Sequence, residues 1–247
     1  MFQGEKFFSV LLFVGFVGVI VYVINLNSSA VSEEGLEVFQ KQHQDESEYT
    51  ILLTDMDYHD DKYWHKYKML IDRGIGDDGE VRFDSIETAD WMRVSPPFFK
   101  KYENALGMEI SRSTNGIVTN SVAPPGYSGY VGNDRYGEWR TDSHGHSFWH
   151  FYGQYMFMRH FFMTSYYGPT RTSWRNYDEG YRRNRRDYYG PTGTFGTGRY
   201  TTQGPGKRST WGNRSESFKS NVRSRVTRSS SRYSGSSSRS RSGGFGK

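Results

Sequence analysis

The sequence predicts a small mixed α+β domain behind one N-terminal transmembrane helix, followed by a disordered basic C-terminal tail. Three observations carry this. Phe7–Ile24 is an uncharged apolar run, residues 49–145 alternate strand patterns with one capped helix, and the charge divides sharply along the chain. Residues 164–247 hold 18 Lys+Arg against 4 Asp+Glu, a net of +14, whereas residues 1–163 hold 14 against 23, a net of −9. Such a split describes an acidic body with a basic arm that seeks a polyanion or an anionic surface. The chain has no cysteine, which excludes disulfides, cysteine-ligated zinc and thiol catalysis.

After a short flank, residues 1–6, the run FFSVLLFVGFVGVIVYVI spans eighteen residues without a charge. As a helix it covers roughly 27 Å, close to the hydrocarbon thickness of a bilayer. Ser28-Ser29-Ala30 offers small residues for signal-peptide cleavage, but a cleaved apolar region is usually shorter than this one. A retained anchor is therefore expected over a cleaved signal or a buried soluble helix. Lys6 precedes the run, while Glu33, Glu34 and Glu37 follow with only Lys41 against them. This favours a body outside the cytoplasm.

Residues 25–48 read as a polar linker. Tyr49–Met56 is β-rich, Asp57–Asp61 is a turn, and Tyr63–Ile71 is a second strand with Tyr63, His65, Tyr67, Met69 and Ile71 on one face. Glu80–Ile86 forms a third strand. A helix is predicted over 96–106, with Ser95 as N-cap, Pro96 in the first turn and Gly107 at the left-handed C′ position. Asn115-Gly116 is a two-residue hairpin turn between Met108–Arg112 and Ile117–Ser121. Residues 123–137 are irregular. Over 146–163 a helical period places Phe148, Phe151, Tyr152, Tyr155, Met158 and Phe162 on one face. The expectation is an amphipathic aromatic helix, packed on the domain or lying at a membrane surface.

The runs VAPPGYSGYVGN (122–133), YGEWR (136–140) and SFWHFYGQY (147–155) resemble an uncharacterised group of bacterial membrane-anchored envelope proteins. The resemblance covers roughly residues 91–155. It implies location and architecture, and supplies neither an activity nor a site residue.

Few motifs carry chemistry. Gly74-Ile75-Gly76-Asp77-Asp78-Gly79 fits the dinucleotide fingerprint, but a strand comes after it and two aspartates would repel phosphate, so it reads as a hairpin loop. Asp55, Asp57, Asp60 and Asp61 lack the glycine and terminal glutamate of a calcium loop. His144, His146 and His150 form the one metal candidate, since the last two stand one turn apart if helical. Against it stands the plainer reading of polar residues at a helix entrance. Gly126-Tyr127-Ser128-Gly129 is one residue short of a nucleophile elbow. No nucleophile, base and oxyanion donor assemble, so no enzyme and no cofactor are expected.

Residues 164–247 interleave arginine with tyrosine, then run into Gly/Thr and Arg/Ser stretches. With almost no aliphatic residues the segment is expected to stay disordered, so its removal should leave the domain folded. The expected contacts to an anionic surface are Arg182, Arg183, Arg185, Arg186, Arg223, Arg225, Arg228, Arg232, Arg239 and Arg241. The partner is an anionic lipid or envelope polymer, ahead of a protein and then of nucleic acid. The expected function is that of a non-enzymatic single-span membrane protein, an envelope accessory or scaffold. The alternatives are a metal-binding periplasmic domain using the histidines, or a nucleic-acid-binding tail exposed in the cytoplasm. Because the length of Phe7–Ile24 matches a bilayer, N-terminal sequencing of the mature protein should begin at or near Met1, and a start at Val31 would refute the anchor.

Overall fold

Alternation from Tyr49 to Ile75 builds the two longest strands, β1 (Tyr49–His59) and β2 (Lys62–Ile75). The computed structural model describes residues 31–77, 81–162 and 168–235. The predicted membrane run, residues 1–30 as a whole, and the last arginines Arg239 and Arg241 lie outside the described residues. Among those described, no helix is long and apolar enough to cross a membrane. Residues from Glu33 onward form a mixed α+β unit built on an antiparallel sheet.

The first turn, at Asp60-Asp61, has φ of 50° and 55°. β1 therefore runs on to His59, past the point where the clustered aspartates suggested a turn. β2 pairs with β3 (Val81–Glu87) and, further back, with β4 (Met92–Val94). Ile75 stands opposite Val81, so the glycine-rich stretch between them joins antiparallel strands, as its sequence context predicts. β5 (Glu109–Thr114) and β6 (Ile117–Thr119) turn at Asn115-Gly116, both with positive φ, the geometry that Asn-Gly favours. The sheet order is β3-β2-β1-β5-β6.

Two corrections concern the first two helices. Residues 35–42 are not linker but helix α1 (Gly35–Gln42), in which Glu37 accepts the Glu34 N–H at 3.2 Å. The Glu34 carboxylate reaches across to accept the Ser95 N–H at 2.9 Å. Ser95 in turn caps α2 (Pro96–Tyr102), its hydroxyl accepting the Phe98 N–H at 3.3 Å. This helix stops four residues short of the expected end because a later segment intervenes. Thr197 donates through Oγ1 to the Glu103 carbonyl at 2.8 Å and accepts the Leu106 N–H at 3.0 Å. Gly107 does take positive φ, 78°, but its lack of a side chain also admits Tyr200, whose ring a Cβ would overlap.

The expected aromatic helix over 146–163 is instead a hairpin and a short turn. β7 (Gly137–Thr141) pairs with β8 (Ser147–Phe151), a 3₁₀ turn covers Gly153–Tyr155, and α3 is only Phe157–Phe161. A run this rich in aromatics satisfies a period of 3.6 or of 2 equally well. The strand period wins because Trp149 and Phe151 turn inward while Phe148 and His150 turn out.

The larger correction is the tail, for residues 168–235 fold. Their helices are α4 (Arg171–Tyr177), α5 (Thr197–Gln203), α6 (Thr210–Asn213) and α7 (Glu216–Gly235). The sheet explains why they are needed. Tyr49, Ile51 and Leu53 of β1, with Tyr67, Met69 and Ile71 of β2, face one core shared with Phe99, Tyr102, Tyr200, Trp211, Val222 and Val226. Leu70 faces a second core on the opposite side with Tyr127, Tyr130, Tyr155, Tyr177 and Tyr188. Both faces of the sheet are covered in part by residues of the basic segment. That segment has too few apolar residues to fold alone, but each buried aromatic removes a large area from water once docked.

Docking is fixed by two carboxylates. A bulge between Leu53 and Asp55 aims Asp55 at the start of α6, where it accepts the Thr210 N–H at 2.7 Å and the Trp211 N–H at 3.1 Å. Buried Asp57 binds Arg214 twice, at 3.0 and 2.6 Å. Trp211 is thereby driven edge-on against Phe99 at 5.8 Å and is fully buried. Trp211→Ala should cost about 3–5 kcal/mol, read as a lower urea midpoint of the full-length protein in neutral detergent. An unmoved midpoint would show that the C-terminal third is not part of the core.

Candidate functional site

The site begins with an irregularity in β5. Ile51 pairs with Ser111 and Leu52 with Glu109, so Ile110 is an extra residue in the strand. In a regular strand Glu109 and Arg112 would face opposite ways; the bulge puts both on the side of the second core. Arg112 lies across the sheet, donating to Thr50 Oγ1 at 3.1 Å and Thr114 Oγ1 at 3.0 Å. Its guanidinium covers the Tyr130 ring at 4.7 Å, with Glu48 at 3.6 Å.

The opposite wall comes from α4 and the turn after it. Thr170 caps α4 by accepting the Ser173 N–H at 3.2 Å, and the Ser173 hydroxyl meets Tyr127 OH at 3.1 Å and Tyr188 OH at 3.3 Å. These bonds hold Tyr177 inward, edge-on to Tyr127 at 5.8 Å. The chain then enters a π-turn, Asp178–Arg182. Asp178 pairs with Arg182 and lies 3.9 Å from Arg183. Arg185 sits in the left-handed region at φ 51°, a conformation that costs free energy for a residue with a side chain.

Between these walls is a cleft of about 350 Å³ in which Arg182, Arg183 and Arg185 meet Arg112 over Ser128 and Tyr177. Hydroxyls and an amide from Thr114, Asn115 and Thr119 line its other side. Four guanidiniums face it against the nearby carboxylates Asp178 and Glu48. Among the described residues the Ser128 hydroxyl meets no partner in full hydrogen-bonding geometry. It lies beside the Glu109 carboxylate without meeting bonding geometry. Chemically the cleft offers fixed positive charge and neutral donors, the requirements of a phosphate or carboxylate site.

The other expected contacts scatter. Arg186 stacks on Tyr181 at 5.4 Å. Arg223, Arg225 and Arg228 lie on α7, whose Val222 and Val226 pack in the first core. Arg225 bonds Tyr58 OH at 2.9 Å and Asp61 at 3.2 Å. Arg232 also lies on α7, near its end. Among the described residues, the expected arginines thus form no single surface. The metal candidate is corrected too. His144 and His146 belong to the exposed β7–β8 turn, His146 paired with Asp142 at 3.3 Å, and His150 is in β8. On a strand four residues span roughly 13 Å, too far for one ion. Among the described residues no three His, Asp or Glu side chains are placed to hold a metal. Arg112, Ser128 and Glu109 were missed because a lone arginine in a short strand carries no periodic signal. The sequence SRST, with a charge among small polar residues, was the only hint.

Glu109 is 1 % exposed. Burial pushes its carboxyl up to about 7, opposed by Ser128, Arg112 and the Gly126 N–H, which donates to it at 3.1 Å. The folded protein therefore holds this proton more tightly than the unfolded chain. Stability falls as pH rises from the ordinary carboxylate range to about 7, and levels off above it. Glu109→Gln should remove about 2.5 kcal/mol of that decline, measured as the difference in unfolding free energy from urea titrations at pH 5 and pH 8. Comparing the two proteins cancels the opposite contribution of buried His65, which burial holds down at about 3. Parallel curves would show that Glu109 does not titrate in this range. No protein family, curated protein or solved structure matches this chain, and the arginine cleft is defined by its own geometry.

Proposed function

We propose that this chain is a non-enzymatic, membrane-tethered binding protein of the bacterial envelope, whose arginine cleft holds the anionic groups of an envelope polymer. The observation that carries the reading is the convergence of Arg112 from the sheet with Arg182, Arg183 and Arg185 from the late chain. Positioning Arg185 in a left-handed conformation and burying Arg112 both cost free energy, and a bound anion offsets that cost. The apolar run Phe7–Ile24 supports the tether, and Lys6 before it with Glu33, Glu34 and Glu37 after it favours a body outside the cytoplasm. The resemblance of residues 91–155 to membrane-anchored envelope proteins agrees with this. A lipid surface is less well served, since a cleft selects groups that can enter it whereas headgroup binding needs an open basic face.

The test uses full-length protein in neutral detergent with hyaluronan, a polymer bearing one carboxylate per disaccharide, across a salt series. Replacing Arg182, Arg183 and Arg185 together by alanine should weaken binding by roughly a hundredfold, since each charge-assisted bond contributes about 1.5–3 kcal/mol before desolvation. Replacing Arg223, Arg225 and Arg228 should change it by less than about threefold, the size of exposed-charge effects. Equal losses in the two variants would show diffuse electrostatic attraction and refute the cleft.

A further inference from the structure

The cleft does not end at Ser128. Beyond Arg112 and Arg182 it opens into a second basin of about 520 Å³ that shares Arg112, Thr114, Ser128 and Arg182 with the first. Its remaining wall is the loop from Tyr127 to Asp134, together with Trp174 of α4. Two glycines of that loop set its shape. A Cβ at Gly129 would overlap the Arg112 guanidinium, and one at Gly132 would overlap the Trp174 ring. Both side chains are therefore pressed against bare backbone, and Trp174 is braced behind by Trp139 at 6.1 Å. Asn133 is committed to the loop itself, donating to the Gly129 carbonyl at 3.2 Å and accepting the Arg135 N–H at 3.1 Å. Exposed Asp134 is left as the acceptor at the basin's edge.

The chemistry changes along this groove. The first basin is cationic, whereas beyond the shared Arg112 and Arg182 the second presents an indole, a carboxylate and small residues. A second anion there would be repelled by Asp134, while hydroxyls can donate to it and a sugar can pack on the exposed part of half-buried Trp174. We propose that the groove binds a linear glycan in which charged and uncharged units alternate, the charged unit between Arg112 and Arg182 and the uncharged unit on Trp174 beside Asp134. This rests on the reading of the first basin as an anion site. A single-stranded nucleic acid also stacks on aromatics, but it carries a phosphate on every unit and would set one against Asp134.

Full-length protein in neutral detergent is titrated with glucuronate, a hyaluronan tetrasaccharide, an oligogalacturonate of four units and a tetrathymidylate. Linking two contacts should make the hyaluronan tetrasaccharide bind about tenfold or more tighter than glucuronate. Trp174→Ala should erase that gain, read as the ratio of tetrasaccharide to glucuronate affinity within the variant, and Trp174→Phe, which keeps a ring, should retain part of it. Asp134→Asn should improve the oligogalacturonate, which is charged on every unit, more than the hyaluronan. Absence of any gain with length, or a Trp174→Ala protein that retains the gain, overturns the second basin. Tighter binding of the tetrathymidylate than of either glycan makes the groove a nucleic-acid site and overturns the proposal. Failure of glucuronate and every oligomer alike, with Arg182→Ala without effect, would instead sink the anion site on which this inference rests.

Discussion

Two carboxylates on one strand, Asp55 and Asp57, hold the rest of the structure together. The bulge at Leu53/Asp55 turns Asp55 towards the first turn of α6, where two backbone N–H groups need an acceptor. Asp57 is buried and would be costly without its paired guanidinium from Arg214. Between them these contacts set the register of the late chain on the sheet, and they seat Trp211 in the first core. Thr197, bonded at both Glu103 and Leu106, repeats the device at the end of α2. The acidic body and the basic segment are therefore partners within one fold, joined by the ion pairs of Arg214 with Asp57 and of Arg225 with Asp61.

The cleft depends on the same docking. Arg112 comes from β5, while Tyr177, Arg182, Arg183 and Arg185 come from the segment that closes over the second face of the sheet. Neither half is a site alone. The tyrosine layer between them, with Tyr127 and Tyr188 on the Ser173 hydroxyl and Tyr177 packed against both rings, fixes the separation of the arginines. Burial raises the Tyr127 and Tyr177 phenols far above their ordinary range, so both stay neutral. Glu109, sealed beneath it, is the one buried acid close to the arginine floor among the described residues.

Local physics explains which elements were legible. The period-two face of β2, the Ser95 cap with Pro96, the Asn115-Gly116 turn and the hairpin at the glycine-rich stretch all depend on neighbours within a few residues. Each appears in the structure. The helix expected over 146–163 failed because aromatic residues fit either period, and the pairing of β7 with β8 decided between them. α1 was hidden because the Glu34 carboxylate that helps fix its start has its partner at Ser95, far along the chain.

By itself the sequence determined the antiparallel α+β core, its first hairpins and the excess of arginine in the last third. It also supplied the apolar run that argues for a membrane tether. Only the tertiary structure decided that the arginine-rich segment folds, and which of its arginines converge. The reason is that the segment's few aromatics gain burial only from a surface built elsewhere. Its free energy of ordering is therefore a property of the pair, the sheet and the segment together, and no window of either one contains it.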